Sequence, residues 1–290
     1  MRFERAAIVG VGLIGGSLAL AARRAGLIDE AIGIGRSAAN LAVACERGLI
    51  DRTVADLADV GPVDLVVLAV PVRSTASVMR ELLPQVPAGA IVTDVGSVKG
   101  EVVTALEALL PPDRPFVGAH PIAGSERGGA AEARADLFHG APCILTPTTQ
   151  TDRVALGRVR ALWEGVGARV EEMSPAAHDR ALAFVSHLPH VVAYALVRAL
   201  GDPALAAVSG GSWRDATRVA ESKPELWRDI LLANAEAVVA ATDAFAAQLA
   251  ALRQAVLRGD ADALMAWLEA ATAEKQRQTG STAPHKGEAP

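Results

Sequence analysis

The sequence predicts an α/β domain built on a doubly wound parallel sheet, followed by an all-α domain, with the change falling at Ser174-Pro175. Short apolar runs alternate with helical stretches over the first half, the order that parallel strands and crossover helices produce. Several of those runs are apolar at consecutive rather than alternate positions, as strands covered on both faces require. Beyond Ser174 no strand-like run remains, and the apolar spacing is helical throughout.

Ala6-Ala7-Ile8-Val9 is the first predicted strand. Gly10-Val11-Gly12-Leu13-Ile14-Gly15 follows it and opens a helix to about Ala25, stopped by Gly26. The next strands are Ala31–Ile34, Asp64–Val70, Ala90–Val95, Phe116–Ala119, Cys143–Leu145 and Ala168–Val170. Ser174 is a good N-cap and Pro175 suits a first helical turn. Three helical blocks come next, Pro175–Leu200, Pro224–Arg258 and Asp260–Gln278, divided by Gly201-Asp202-Pro203 and by Gly259. At 1.5 Å per residue the middle block would be about 50 Å long. Its stripe of Leu226, Ile230, Leu231, Ala237, Ala241, Phe245, Leu249, Leu252 and Val256 is too long for so small a domain to cover, which predicts a homodimer built on helix packing. The expected organisation is a dinucleotide-binding domain over 1–174, a helical substrate and dimerisation domain over 175–278, and a disordered tail over 279–290.

Composition narrows the function. The 290 residues are 51% hydrophobic and 21% charged, enough apolar material for a large core and unlike a disordered chain. A net charge of −5 and ten aromatic residues argue against a nucleic-acid partner. Two cysteines, Cys45 and Cys143, suit a reducing compartment. The uncharged run Ala6–Ala22 superficially resembles an export signal, but its glycines belong to a turn motif and it is too short for a membrane span. The expectation is a soluble, cytoplasmic protein.

The GxGxxG run between a strand and a helix is the fingerprint of a Rossmann-type dinucleotide site. Gly10 serves the tight turn, Gly12 the close approach of a pyrophosphate, and Gly15 the packing of helix on sheet, with Leu13 and Ile14 in the first helical turn. The second strand selects the cofactor. Asp29 and Glu30 stand at its wrong end, whereas Arg36 and Ser37 stand at the carboxyl end, where an arginine and a hydroxyl suit a 2′-phosphate. NADP is therefore favoured modestly over NAD. Ligands of such sheets bind outside the strand ends, which adds Val70, Pro71 and Ser97 to the cofactor contacts.

His120 ends a strand on that same side and is a natural general base, with Ser97 on the neighbouring strand placed to orient it. In the first helical block, Ser186 and His190 share a face, and Pro189 between them predicts a kink. His187 and His190 have the spacing of a metal pair, but no third ligand stands near, so no metal is expected. Arg214 and Arg218, one turn apart after Gly210-Gly211, suit a carboxylate-bearing substrate.

Together these segments resemble the prephenate/arogenate dehydrogenases of tyrosine biosynthesis. The matching stretches are Gly10–Gly15, Asp94–Gly100, His120–Glu126, Ser186–His190, Gly210–Arg218 and Trp227-Arg228-Asp229, in family order. The resemblance implies NAD(P)-dependent oxidative decarboxylation of a cyclohexadienol, with His120 as base on the ring hydroxyl and Ser97 orienting it and the nicotinamide. It implies that Arg218 grips the ring carboxylate, that His190, Ser186 and Arg214 line the pocket, and that Glu126 sits at its mouth. Ser125, like His190 and Arg214, is a candidate for telling a keto from an amino side chain. A chain of this length leaves no expectation of a regulatory domain or a chorismate mutase fusion. The alternatives are a β-hydroxyacid dehydrogenase or imine reductase, which would place a catalytic lysine in the helical domain, and a redox sensor that binds dinucleotide without turnover.

Overall fold

The computed structural model describes residues 2–54, 57–125 and 127–281. It comprises two compact units, Met1–Val238 and Val239–Pro290.

The first unit starts with β1 (Phe3–Val9), α1 (Leu13–Arg24), β2 (Ile28–Ile34), α2 (Ala38–Glu46), β3 (Arg52–Thr53), β4 (Leu65–Leu68), α3 (Thr75–Leu82), β5 (Ile91–Asp94), α4 (Gly100–Leu109) and β6 (Phe116–Val117). These strands form one parallel sheet in the order β3-β2-β1-β4-β5-β6, the doubly wound order of dinucleotide-binding domains. The consecutive apolar residues have their explanation here. Ala6 and Ile8 of β1, with Leu65 and Val67 of β4, enter one core; Ala7 and Val9, with Val66 and Leu68, enter the other. Both faces of the sheet are therefore buried, and all the strand ends point to one edge.

The later strands depart from the expected single sheet. β7 (Ala119–Pro121), β8 (Pro142–Leu145) and β9 (Arg169–Glu172) form a separate three-stranded sheet, with α5 (Arg153–Gly165) between β8 and β9. β7 runs antiparallel to β8, pairing His120 with Ile144. The run Phe116–Ala119 is thus not one strand but two, divided at Gly118. The chain passes tightly there: a Cβ on Gly118 would lie 2.5 Å from Thr146 Oγ1.

The helical region opens with α6 (Pro175–Leu182), capped by Ser174 Oγ accepting from Ala177 N at 3.2 Å. A π-helical turn over Ala183–His187 leads into α7 (Leu188–Leu200). Pro189, which has no N–H to donate, is accommodated by this widened turn just before it, in place of a simple kink. α8 (Gly211–Thr217), α9 (Pro224–Ala233) and the start of α10 (Ala235–Arg258) complete the unit. The expected 50 Å helix is broken. Asn234, with φ −118° and ψ 34°, leaves the helical region and divides α9 from α10.

The second unit holds the rest of α10 and α11 (Ala261–Ser281). Residues 279–281 of the expected tail are thus helical, and 282–290 lie outside the described residues. Leu226 on α9 and Leu249 and Val256 on α10 are exposed in the protomer, whereas Ile230 is buried in the core of the first unit. Two helical stretches, Pro175–Leu200 and Ala235–Arg258, are long and apolar enough to cross a membrane by length and composition.

Candidate active site

The strand ends of β1, β2 and β4 open onto a cavity of about 680 Å³. Gly10, Gly12, Arg36, Ser37, Val70 and Pro71 of the expected cofactor contacts line it; Leu13, Ile14, Gly15 and Ser97 do not. Gly10 takes φ +96°, and a Cβ on it would lie 2.3 Å from Ala69 O, so only glycine fits the turn. Gly15 is a packing residue, its missing Cβ leaving room for Gly10 O. Gly12 differs, because a Cβ there would meet nothing within 4 Å and the backbone faces open space. It is also the N-cap of α1, which has no side-chain cap and no acidic residue in its first turn. Such an N-terminus fits a pyrophosphate. Asp29 and Glu30 lie at the opposite end of β2, where they pair with Arg2 and with Arg5 and Arg52. Among the described residues the acid lining this cavity is Glu81, while Ser37 Oγ accepts from Asn40 N at 3.2 Å to cap α2.

Beyond β5 the chain builds a buried polar frame. Asp94 accepts from Gly96 N at 2.8 Å, from Ala119 N at 3.1 Å and from the Lys99 ammonium, which also donates to Ala119 O at 2.8 Å. Lys99 and Asp94 are both fully buried. Burial pulls the Lys99 pKa down, and the Asp94 carboxylate opposes that shift. This frame fixes the backbone next to His120.

His120 is 8% exposed, and its partner is not the expected Ser97 but His178 on α6: His120 Nδ1 lies 2.8 Å from His178 Nε2. His178 Nδ1 lies 2.7 Å from Asp179 Oδ1. Asp179 also accepts from Lys99 N at 2.8 Å and Gly100 N at 2.7 Å, a carboxylate on the N-terminus of α4. Burial disfavours its charge, but the hydrogen bonds from His178, Lys99 and Gly100 outweigh that and hold its pKa below the ordinary carboxylate value. An ionised Asp179 assigns every proton in the line. His178 donates from Nδ1 and accepts at Nε2; His120 therefore donates from Nδ1 and keeps a lone pair on Nε2. Burial, followed by the nearby His178, Lys99 and His187, holds the His120 pKa well below 6.5, so the ring is neutral at physiological pH. A neutral imidazole with a free Nε2 lone pair is a general base ready to accept a proton.

The helical region supplies a second histidine cluster. His190 Nδ1 donates to Ser186 O at 2.9 Å, leaving its Nε2 free, and the ring stacks on Trp227 at 3.5 Å between centroids. Burial lowers its pKa, the Ser186 carbonyl opposes this, and the Arg218 guanidinium lowers it further, so Arg218 faces this cluster. Ser186 thus contributes its carbonyl to the arrangement. Arg218 begins a 3-10 turn after α8, and both it and Arg214 are exposed, without ion-pair partners among the described residues. Ser97 is half-buried in the loop between β5 and α4. Ser125 lines a second cavity of about 350 Å³ with Lys223, Asp229 and Pro71, the last of which also lines the larger cavity. Glu126 lies outside the described residues.

Two family models match the chain: the nucleotide-binding domain of prephenate dehydrogenase over residues 18–172 and its dimerization domain over 174–270. The chain belongs to the prephenate dehydrogenase family. It is 38% identical over 276 residues to the cyclohexadienyl dehydrogenase of Zymomonas mobilis, covering 91% of this chain and 92% of that one. It is 36% identical to the prephenate dehydrogenase of Bacillus subtilis, covering 98% and 77%. The crystal structure of prephenate dehydrogenase from Aquifex aeolicus with hydroxyphenyl propionate and NAD+ has a TM-score of 0.90 at 38% identity, covering 96% of this chain and 99% of that one. Synechocystis arogenate dehydrogenase has a TM-score of 0.81 at 31% identity, covering 94% and 99%. These matches do not favour the hydroxyacid dehydrogenase or sensor readings.

His178, Asp179, the Asp94–Lys99 pair and Trp227 were absent from the site expected from sequence. Trp227 fell within a family stretch without an assigned role. His178-Asp179 left one usable signal, an adjacent base and acid in the first turns of a capped helix.

Proposed function

We propose that the protein catalyses the NAD(P)-dependent oxidative decarboxylation of prephenate, of arogenate, or of both, in tyrosine biosynthesis. The observation that carries the reading is the hydrogen-bonded line Asp179–His178–His120, which leaves a neutral base, 8% exposed, next to the carboxyl end of β5. When bound, the dinucleotide would supply the hydride acceptor at its nicotinamide, its pyrophosphate held by the α1 N-terminus and the Gly10–Gly12 turn. His120 Nε2 takes the proton of the ring hydroxyl as the carbonyl forms. The charge that develops on His120 is stabilised through His178 by the Asp179 carboxylate, which stays ionised. Loss of the ring carboxylate as carbon dioxide aromatises the ring, so the protein has mainly to position, deprotonate and hold the substrate. Arg218 holds a substrate carboxylate beside His190, and Ser97 contacts the reacting hydroxyl and the nicotinamide. Ser186, Arg214, Ser125 and Glu126 are assigned to the surroundings of the substrate.

Arg36 and Ser37 at the end of β2 support a preference for NADP. The exposed apolar residues of α9 and α10 support a homodimer, and we read the two long apolar stretches as dimer helices of a cytoplasmic protein. The division into a dinucleotide-binding domain to residue 174 and a helical domain from 175 belongs to the same reading. Initial rates of nicotinamide reduction with prephenate and arogenate, each with NAD and NADP, test it. Turnover is expected in at least one mixture, fastest with NADP; silence in all four, with dinucleotide still bound, would overturn it.

A further inference from the structure

Asn234 marks the break between α9 and α10 and is 6% exposed. The break requires only a residue that tolerates non-helical dihedrals; it does not require what this side chain does. Nδ2 lies 2.8 Å from the backbone carbonyl oxygen of Asp179 and 3.2 Å from His187 Nδ1. An amide nitrogen carries two hydrogens and offers no lone pair, so both partners must accept. The second contact therefore keeps the His187 proton on Nε2 and excludes the imidazolium form.

His187 is 1% exposed and meets Trp227 edge-on, with ring centroids 6.0 Å apart. Trp227 in turn carries the stacked His190. One arm from Asn234 thus runs through His187 and Trp227 to His190, and the other through Asp179 to His178 and His120. We propose that Asn234 is a positioning residue for the reaction, clamping the base line and the Trp227–His190 wall to each other and holding His187 neutral. The inference rests on the reading of His120 as the base.

The groups facing His187 agree with a neutral ring. Asp179 and His178 come from α6, His190 from α7 and the uncharged Trp227 from α9. Burial, with His178 and His190, outweighs the pull of Asp179 and lowers the His187 pKa to about 4. A proton on His187 would face two further histidines and would push against the Asn234 amide.

Asn234→Asp separates this role from a structural one. Aspartate has the same size and is equally suited to a helix break, so the backbone geometry of the break is retained. It has no donor for the Asp179 carbonyl, and its carboxylate draws a proton onto His187. Expected are a kcat lower by about tenfold or more, equivalent to at least 1.4 kcal/mol, an unchanged dinucleotide KM, and ring-nitrogen NMR signals of an imidazolium at His187 near neutral pH. The His120 and His178 signals should shift with it. Wild-type kcat, or a change confined to His187, would overturn the proposal. The wild type offers an independent check, since a neutral Nε2–H tautomer is expected at His187 and an Nδ1–H tautomer or imidazolium at neutral pH would refute it. A wild type without turnover would instead refute the proposed reaction, and the ring-nitrogen spectra would then decide Asn234 alone.

Discussion

Asp179→Asn changes one atom and tests the whole line behind His120. Asp179 Oδ2 accepts from Gly100 N, and Oδ1 accepts from both Lys99 N and His178 Nδ1. An amide replaces one of these oxygens with a donor. If the nitrogen takes the Oδ2 place, it meets the Gly100 N–H donor against donor. If it takes the Oδ1 place, it meets Lys99 N–H and forces His178 to accept at Nδ1. His178 then turns an N–H toward His120, and His120 carries its proton on Nε2, where the base should be free. The stability cost follows from one lost charged hydrogen bond at the start of α4, about 1.5–3 kcal/mol. The catalytic cost is that of losing a general base, roughly 10²–10⁴ in kcat, or about 3–5 kcal/mol. Initial rates at saturating substrate measure the second, and urea unfolding measures the first. A folded Asp179→Asn protein with wild-type kcat would refute the role of the Asp179 carboxylate in stabilising the protonated base.

Other perturbations reach different parts of the site. Lys99→Met leaves Asp94 buried without its cation and should destabilise the fold by about 3–5 kcal/mol in denaturant unfolding; an equally stable variant would show that the frame is not held by this pair. Arg36→Ala should raise KM for NADP by roughly tenfold or more, the worth of a charged hydrogen bond, with little effect on NAD; equal effects on both would remove Arg36 from cofactor selection. His187, with its pKa lowered from 6.5 to about 4, binds its proton more readily in the unfolded chain. Its stabilising effect is thus complete above pH 6.5 and declines as the pH falls toward 4, by up to about 3 kcal/mol. Urea midpoints measured across that window should fall with pH, and a flat profile would contradict the neutral buried ring.

The fold was legible where local chemistry decides it. Ala6–Val9 reads as a central strand because both faces are buried, and Gly10–Gly15 reads as a phosphate turn because glycine is needed at Gly10. The second sheet was not legible. Nothing in Phe116–Ala119 announces that the chain turns into an antiparallel pairing at Gly118, because the cause is the tight approach of Thr146, far along the sequence. Asn234 was missed for a related reason: one asparagine inside a strongly helical pattern is a weak local signal, and its partners lie on α6 and the π turn. The same holds for the site. His120 stood out because it follows the run Phe116–Ala119, although the structure places it inside β7; the partner on its Nδ1, His178, comes from α6, far along the sequence, where sequence reasoning offers Ser97.

The central claim is that His120 Nε2 removes the proton of the ring hydroxyl. His120→Asn, assayed with the wild type's preferred substrate and dinucleotide, tests it most directly. The account predicts a folded protein that binds dinucleotide with unchanged Kd and turns over about 10²–10⁴ times more slowly. A His120→Asn variant that reduces the nicotinamide at the wild-type rate would contradict it.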